Sequence, residues 1–460
     1  MHDLVLTGGH LLDPANNLDG PAGLAIRDGK ISEVGRVTTG ARQTIDVSGQ
    51  FILPGVIDTH THLSRHFGAA EGHQMVAETG VVTALDLAGS FDDLAQALTG
   101  GGAGLNVAFL HPLIPGSTVS SKDPATPEIT AALDHALAAG ALGIKLLGGH
   151  YPLTPDATAR AMSAAAARRC YVAFHVGTTQ TGSDIRGLAE ALDLAAGRRI
   201  HVAHVNSYCR GQETGDPVAE ALHAIDLLHA HPSAVSESYL SVYNGTSARC
   251  ADGVPTSGVT RTCLRLGGYA QIEDGMVAAI RAGYARIHHI ADGRVALSPP
   301  ETGLRAWRAQ GTDAGVSFPV NHIPSAVLLA TARHEGRFVI HGLSTDGGAI
   351  PRNFLVRHGL MLVQMGAWTL RDFVVKASVN PARMLGIPTK GHLAQGADAD
   401  VTVVDLERGR ATWSVAGGRV VLAEGRVAGR GGTFITTPKG VAAIGSKGLR
   451  YSVIHKEGWG

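Results

Sequence analysis

His60 and His62 stand one residue apart at the close of an apolar run, Phe51-Ile-Leu-Pro-Gly-Val-Ile-Asp-Thr-His-Thr-His-Leu63. In an extended strand alternate side chains share a face, so both imidazoles point the same way and can grip one metal ion. Other apolar runs meet polar residues in the same manner. Lys145 lies in Gly143-Ile-Lys-Leu-Leu147, His175 closes Tyr171-Val-Ala-Phe-His175, and Ile200-His-Val-Ala-His-Val205 offers His201 and His204. A spacing of three sends the last two to opposite faces of a straight strand, so at most one is a ligand. His204, nearer the carboxyl end, is the choice, and His201 reads as a packed or hydrogen-bonded histidine. Asp346 follows in Val339-Ile-His-Gly-Leu-Ser-Thr-Asp-Gly-Gly348. An Asp before Gly-Gly is commonly a turn former. Its place after a buried strand and before Ala349-Ile-Pro-Arg-Asn353 makes it a catalytic candidate.

Lys145 poses a charge problem, because an unpaired ammonium is costly to bury. A lysine whose stem is buried and whose head reaches water would solve it. Beside a pair of metal ions another solution opens: burial lowers the pKa, the neutral amine reacts with carbon dioxide, and the resulting carbamate is an anion that can bridge two cations.

These residues need a scaffold that brings them together. Short β-type runs at 55–58, 82–87, 106–110, 143–146, 171–175, 200–205, 234–238 and 338–341 alternate with alanine-rich helical stretches such as 128–139, 157–169, 184–196 and 217–230. Strand then helix, repeated, predicts a parallel sheet, and eight strands predict an α/β chain folded as a (β/α)8 TIM barrel. An open doubly wound sheet would usually carry a glycine-rich phosphate turn after its first strand, and Asp58-Thr-His-Thr-His62 is not one. The polar residues above then fall at carboxyl strand ends, which in a barrel converge on one face.

The ends of the chain read differently. Strands are predicted at 3–7, 24–27, 30–34 and 43–46, with Asp28-Gly29 as a hairpin turn, and again at 399–405, 413–416 and 419–423, with Gly417-Gly418 between the last two. Neither piece has enough strands to be stable alone, so both are expected to pair into one small β-sandwich. The predicted division is residues 1–54 and 388–460 for the sandwich and C-terminal tail, and 55–387 for the barrel. Residues 253–325 form a long excursion of the kind that commonly covers an active site.

Composition narrows the partners. Lys+Arg and Asp+Glu both number 39 in 460 residues, so no charge excess recruits nucleic acid or an anionic membrane, and a small-molecule substrate is expected. The four cysteines, Cys170, Cys209, Cys250 and Cys263, are too sparse for a disulfide framework, and no leader or long apolar span is evident, which predicts a cytoplasmic protein.

The set His60-x-His62, Lys145, His175, His204 and Asp346, in that order inside a barrel flanked by a terminal sandwich, resembles the amidohydrolase superfamily over nearly the whole chain. The segment Ala234-Val-Ser-Glu-Ser-Tyr-Leu-Ser-Val-Tyr243 is similar to the seventh-strand region of hydantoinases, dihydroorotases and D-aminoacylases. The stretch from Ala138 to His204 resembles part of the urease catalytic subunit, and Asn380-Pro-Ala-Arg383 and Gly396-Ala-Asp-Ala-Asp-Val401 resemble the superfamily's last helix and its return to the sandwich.

The resemblance implies that His60, His62 and Asp346 bind one divalent ion and His175 and His204 another, with an N6-carboxylated Lys145 between them. Zinc is the default; manganese, nickel or iron suit similar ligands. It further implies hydrolysis of a C–N bond in a cyclic amide, ureide or N-acyl amino acid by a metal-bridging hydroxide, with Asp346 shuttling the proton to the departing nitrogen. His150 or Tyr151, shortly after Lys145, would hold the oxyanion. Tyr239, Asn321, His322 and Arg352 are candidates for the substrate pocket, Arg352 because its planar fork matches a carboxylate, although it could equally pair with an acidic neighbour. Such families are usually homo-oligomers. The same metal cluster also serves lactones, esters and phosphotriesters, a one-metal deaminase would lack the lysine, and a non-catalytic relative would have no need of buried charges at each of these places.

Overall fold

The computed structural model describes residues 1–37, 40–64 and 69–455. Its centre is a parallel sheet of β1 (Val56–His62), β2 (Val81–Leu87), β3 (Ala103–Leu113), β4 (Gly143–Leu147), β5 (Tyr171–His175), β6 (His201–Val202), β7 (Val235–Ser238), β8 (Gly342–Leu343) and β9 (Gly347–Gly348). The spatial order is β8-β7-β6-β5-β4-β3-β2-β1-β9. Since β8 and β9 belong to one stretch of chain, with Glu237 opposite Gly342 at one side and Thr61 opposite Gly347 at the other, the sheet closes on itself. The result is a TIM barrel, its last arm split into two short pieces.

The helices that follow the strands start where the sequence supplies caps. Thr154 accepts the amide of Ala157 ahead of helix Pro155–Ala167, Asp184 accepts those of Arg186 and Gly187 ahead of Ile185–Ala195, and Asp216 caps Pro217–Ala230. Proline at the first position of two of these helices has no amide to leave unbonded. Their buried faces share one core with the outward side chains of the strands: Ala161, Leu188 and Ala224 from the helices lie in it with Ile144, Phe174 and Val202 from the strands.

The predicted last strand at 338–341 is displaced. Arg337–Phe338 instead turns back on Arg333–His334 through Gly336, which has a φ of 77°, and Ile340 and His341 give their carbonyls to Lys376 and Asn380. The apolar run packs between sheet and helices, so its burial mimics a strand, whereas backbone contact with the barrel sheet begins only where the His341 amide bonds the Ser236 carbonyl and strand pairing starts at Gly342. The predicted strand at 200–205 is likewise cut to His201–Val202, and a turn of 3-10 helix, Val205–Tyr208, follows.

Both ends of the chain build the flanking sandwich. Phe51–Pro54 lies between His10–Asp13 and Val401–Asp405 in a seven-stranded sheet, and His2–Thr7 lies in a four-stranded one. Leu4, Leu6, Leu24 and Ile26 from the first fifty residues share one core with Val401, Val403 and Val415 from the last sixty. Gly55 links sandwich to barrel where a Cβ would come within 2.4 Å of Val82, so the chain crosses there only with glycine. The tail does not stop at the sandwich: Gly431–Thr436 runs parallel to the first half of β3, and Arg450–Val453 pairs outside it.

The excursion after β7 is a folded unit of its own. Asn244–Ser247, Gly315–Phe318, Arg286–Ala291 and Arg294–Leu297 form a four-stranded antiparallel sheet. Helices Gly258–Leu266, Glu273–Arg281 and Pro300–Ala309 close a small core around Trp307, Met276 and Phe318.

Candidate metal-binding active site

At the carboxyl end of β1, His60 Nε2 and His62 Nε2 lie 3.2 Å and 2.9 Å from one oxygen, Oδ1 of Asp346. The three offer ligand atoms within 4.8 Å of one another. Alongside, Nε2 of His204 is 3.1 Å from Nδ1 of His175, and the His204 ring stacks on that of His60 with centroids 5.0 Å apart. Two atoms each about 2.0–2.1 Å from one tetrahedral ion stand about 3.3 Å apart, so these separations fit shared ions as well as they fit hydrogen bonds. Lys145, on the neighbouring β4, is buried and its Nζ has no hydrogen-bond partner among the described residues. All six side chains line one cavity of about 440 Å³. His150 and Tyr151 line it too, and Asn244, Thr246 and Val259 of the excursion wall its other side.

Two of the six sit on unusual backbone. His204 and Asp346 have φ values of 34° and 49°, the left-handed region that non-glycine residues avoid. At His204 this turn ends β6, which frees the side chain from strict strand alternation. His201 remains in the barrel core, with Nδ1 3.1 Å from the Tyr171 hydroxyl.

A family model described as "Amidohydrolase family" matches residues 51–430. The chain belongs to the amidohydrolase family. A dihydroorotase of Syntrophus aciditrophicus is 27% identical over 433 residues, covering 90% of this chain and 91% of that one. An allantoinase of Deinococcus radiodurans is 26% identical over 423 residues, covering 88% and 87%. Among solved structures, a D-aminoacylase superposes with a TM-score of 0.67 at 17% identity over 94% of this chain and 99% of its own. N-acyl-D-glutamate deacylase from Bordetella bronchiseptica, complexed with zinc and a phosphonate inhibitor, gives 0.68 at 17% identity, covering 94% and 98%. At that identity both speak to the fold alone.

In this amidohydrolase, the protonation states suit metal binding. Burial pushes His60 and His150 down to about 4, and His175 and His204 well below the ordinary histidine range, so all are neutral at pH 7. Burial also lowers Lys145 to about 8 against the opposing pull of Glu237 and Asp346, which brings the neutral amine within reach. Asp346 goes the other way. Desolvation alone would raise it, but the Arg352 guanidinium and His60 hold it well below the usual carboxylate range.

Residue spacing assigns no role to Glu237, which lies within residues 234–243. This fully buried carboxylate on β7 lies 2.7 Å from His60 Nδ1, accepts the backbone amide of His204 at 2.6 Å and is bonded by Ser344 Oγ. Holding the proton on Nδ1 leaves Nε2 of His60 open toward Asp346. Ser183 does the equivalent for His175, standing 2.8 Å from Nε2 while Nδ1 faces His204. An acid in the middle of a predicted barrel strand was the available signal, since a carboxylate buried there demands partners.

Tyr239, Asn321, His322 and Arg352 do not line the cavity. Arg352 turns to Asp346 from behind, Tyr239 packs under its guanidinium, and Asn321 bonds to the Tyr239 hydroxyl. His322 caps helix Ile323–Thr331 through Ser325.

Proposed function

We propose that the protein is a metal-dependent hydrolase that cleaves the C–N bond of a cyclic amide, a ureide or an N-acyl amino acid. The observation that carries this reading is the meeting of His60, His62, Lys145, His175, His204 and Asp346 in one cavity at the mouth of the barrel. Relatives named dihydroorotase and allantoinase that align along most of the chain support the substrate class.

In this reading His60, His62 and Asp346 would hold one divalent ion and His175 and His204 a second, and a carboxylated Lys145 would supply an anionic ligand to the pair. Imidazole and carboxylate donors make zinc the first choice. Bound there, such ions supply an activated water and polarise the scissile carbonyl. Asp346 takes the proton of the attacking water and delivers it to the departing nitrogen, which leaves poorly unless protonated. His150 or Tyr151, which line the cavity on the loop after β4, would donate to the carbonyl oxygen in this reading. The loop comes close because Gly148 and Gly149 lack side chains: a Cβ on Gly149 would meet His175 Nε2 at 2.1 Å.

Assay of the metal-loaded protein on cyclic ureides, N-acyl amino acids, lactones and a phosphotriester tests the proposal. Hydrolysis of amide substrates is expected, lost on chelation and reduced by roughly 10³-fold in Asp346→Ala. Active protein free of bound transition metal, or full turnover in that variant, would refute it.

A further inference from the structure

The cavity that holds the cluster adjoins a second one of about 520 Å³, with His150, Tyr151, His175, Asn244 and Val259 in both walls. The outer cavity is lined by four cations, Lys122, Arg210, Arg261 and Arg265, and by a single carboxylate, Asp184. That carboxylate is committed elsewhere: its Oδ1 takes the amides of Arg186 and Gly187 at the start of a helix, and its Oδ2 lies 3.8 Å from the Arg186 guanidinium.

The arginines, by contrast, are held by neutral oxygens. Arg210 donates through Nε to Asn321 at 2.9 Å and through Nη2 to Asn244 at 3.0 Å. Both asparagines are buried, and Asn321 is itself fixed by the carbonyl of Ser241. Arg261 bonds the carbonyls of Pro255 and Thr256, and Arg265 bonds the Gln212 amide. One turn apart on helix Gly258–Leu266, these two present their charges to the same space. No carboxylate pairs with any of the three among the described residues. In a chain whose acids and bases are equal in number, such clustering leaves a local positive potential that favours an incoming anion. A guanidinium oriented in advance offers its remaining N–H groups to a carboxylate or phosphate without first losing rotamer freedom.

We propose that this outer cavity is a subsite for an anionic group, carboxylate or phosphate, on the arm of the substrate that leads away from the scissile bond. The assignment rests on the inner cavity being the hydrolytic site. It gives the excursion a chemical role, because helix Gly258–Leu266 supplies part of the anion's cradle.

Titration calorimetry of the metal-loaded protein with glutarate, its neutral isostere glutaramide and 3-phosphonopropionate tests the subsite. Glutarate is expected to bind roughly tenfold or more tightly than glutaramide. Arg210→Gln, and separately the double variant Arg261→Gln with Arg265→Gln on the helix surface, should each remove most of that preference with bound metal unchanged by elemental analysis. Tighter binding of 3-phosphonopropionate than of glutarate assigns a phosphoryl group, and the reverse assigns a carboxylate. Equal binding of glutarate and glutaramide, or a preference that survives both variants and so belongs to the metal ions, overturns the proposal. Arginine-dependent glutarate binding in a protein that hydrolyses no amide would sink the reading of the inner cavity and leave the outer one standing, so the two failures are distinct.

Discussion

The guanidinium of Arg352 lies 2.5 Å from Oδ2 of Asp346, on the side away from the histidines that face Oδ1. Its Nε donates to the Asp346 carbonyl at 2.7 Å and its Nη1 to the Tyr239 hydroxyl at 3.1 Å and the Tyr243 carbonyl at 2.8 Å. One buried fork thus fixes both the carboxylate and the left-handed backbone of Asp346. Arg352→Met is expected to lower kcat by about tenfold or more with little change in KM, and to destabilise the fold by about 3–5 kcal/mol, because a buried charge loses its partner. Arg352→Lys keeps the charge but cannot reach all four acceptors, so it should fall between. Wild-type kcat and an unchanged urea midpoint in the methionine variant would show that the pairing positions nothing.

Glu237 acts on the same site from β7. Replacing it with Gln keeps the shape and one carbonyl acceptor but removes the negative charge and the second acceptor oxygen, which weakens the hold on the tautomer of His60 and the amide of His204 and turns a donor towards Ser344. Metal affinity measured by competition with a chromophoric chelator should drop about 10- to 100-fold in Glu237→Gln. An unaltered affinity would mean that His60 holds its orientation without the carboxylate.

If Lys145 is carboxylated, assembly of the centre needs carbon dioxide as well as metal. Protein stripped of metal and reloaded in carbonate-free buffer should recover little bound metal until bicarbonate is added. Lys145→Ala should show a lower stoichiometry that bicarbonate does not restore. Full metal recovery by the wild type without bicarbonate would argue for an unmodified amine.

Residue spacing made part of this site legible and hid the rest. The pair His60 and His62 is readable because strand alternation is local, and Lys145 and His175 are readable because polar residues inside apolar runs demand an explanation. Arg352 was visible as a fork in search of an acid. That the acid is Asp346 depends on a six-residue loop whose path is set by the left-handed turn at Asp346 and by Gly348, and no periodicity reports that. The misplaced eighth strand has a similar origin: Val339 and Ile340 are buried by helices, and apolar character does not say which neighbour does the burying. The excursion read as a loop because its helices and strands are short, and only their shared packing around Trp307 reveals a folded unit.

Lys376 provides a test of the packing behind the barrel. It is fully buried, donates to the Ile340 carbonyl at 2.6 Å and sits 4.7 Å from the centre of the Phe338 ring. Burial pushes its pKa from 10.5 down to about 7. Between those values the unfolded chain holds a proton that the folded chain lacks, so this residue makes stability rise with pH across that window, by up to about 1.4 kcal/mol per pH unit, and adds no slope below it. Lys376→Met removes the titrating group. Relative to wild type, the variant should therefore be most stable near pH 7 and lose that advantage as the pH climbs towards about 10. Urea midpoints of the two proteins across this range decide the matter: parallel curves would mean that Lys376 keeps its proton in the folded state, and that the aromatic rings and the Ile340 carbonyl solvate the ammonium as well as water does.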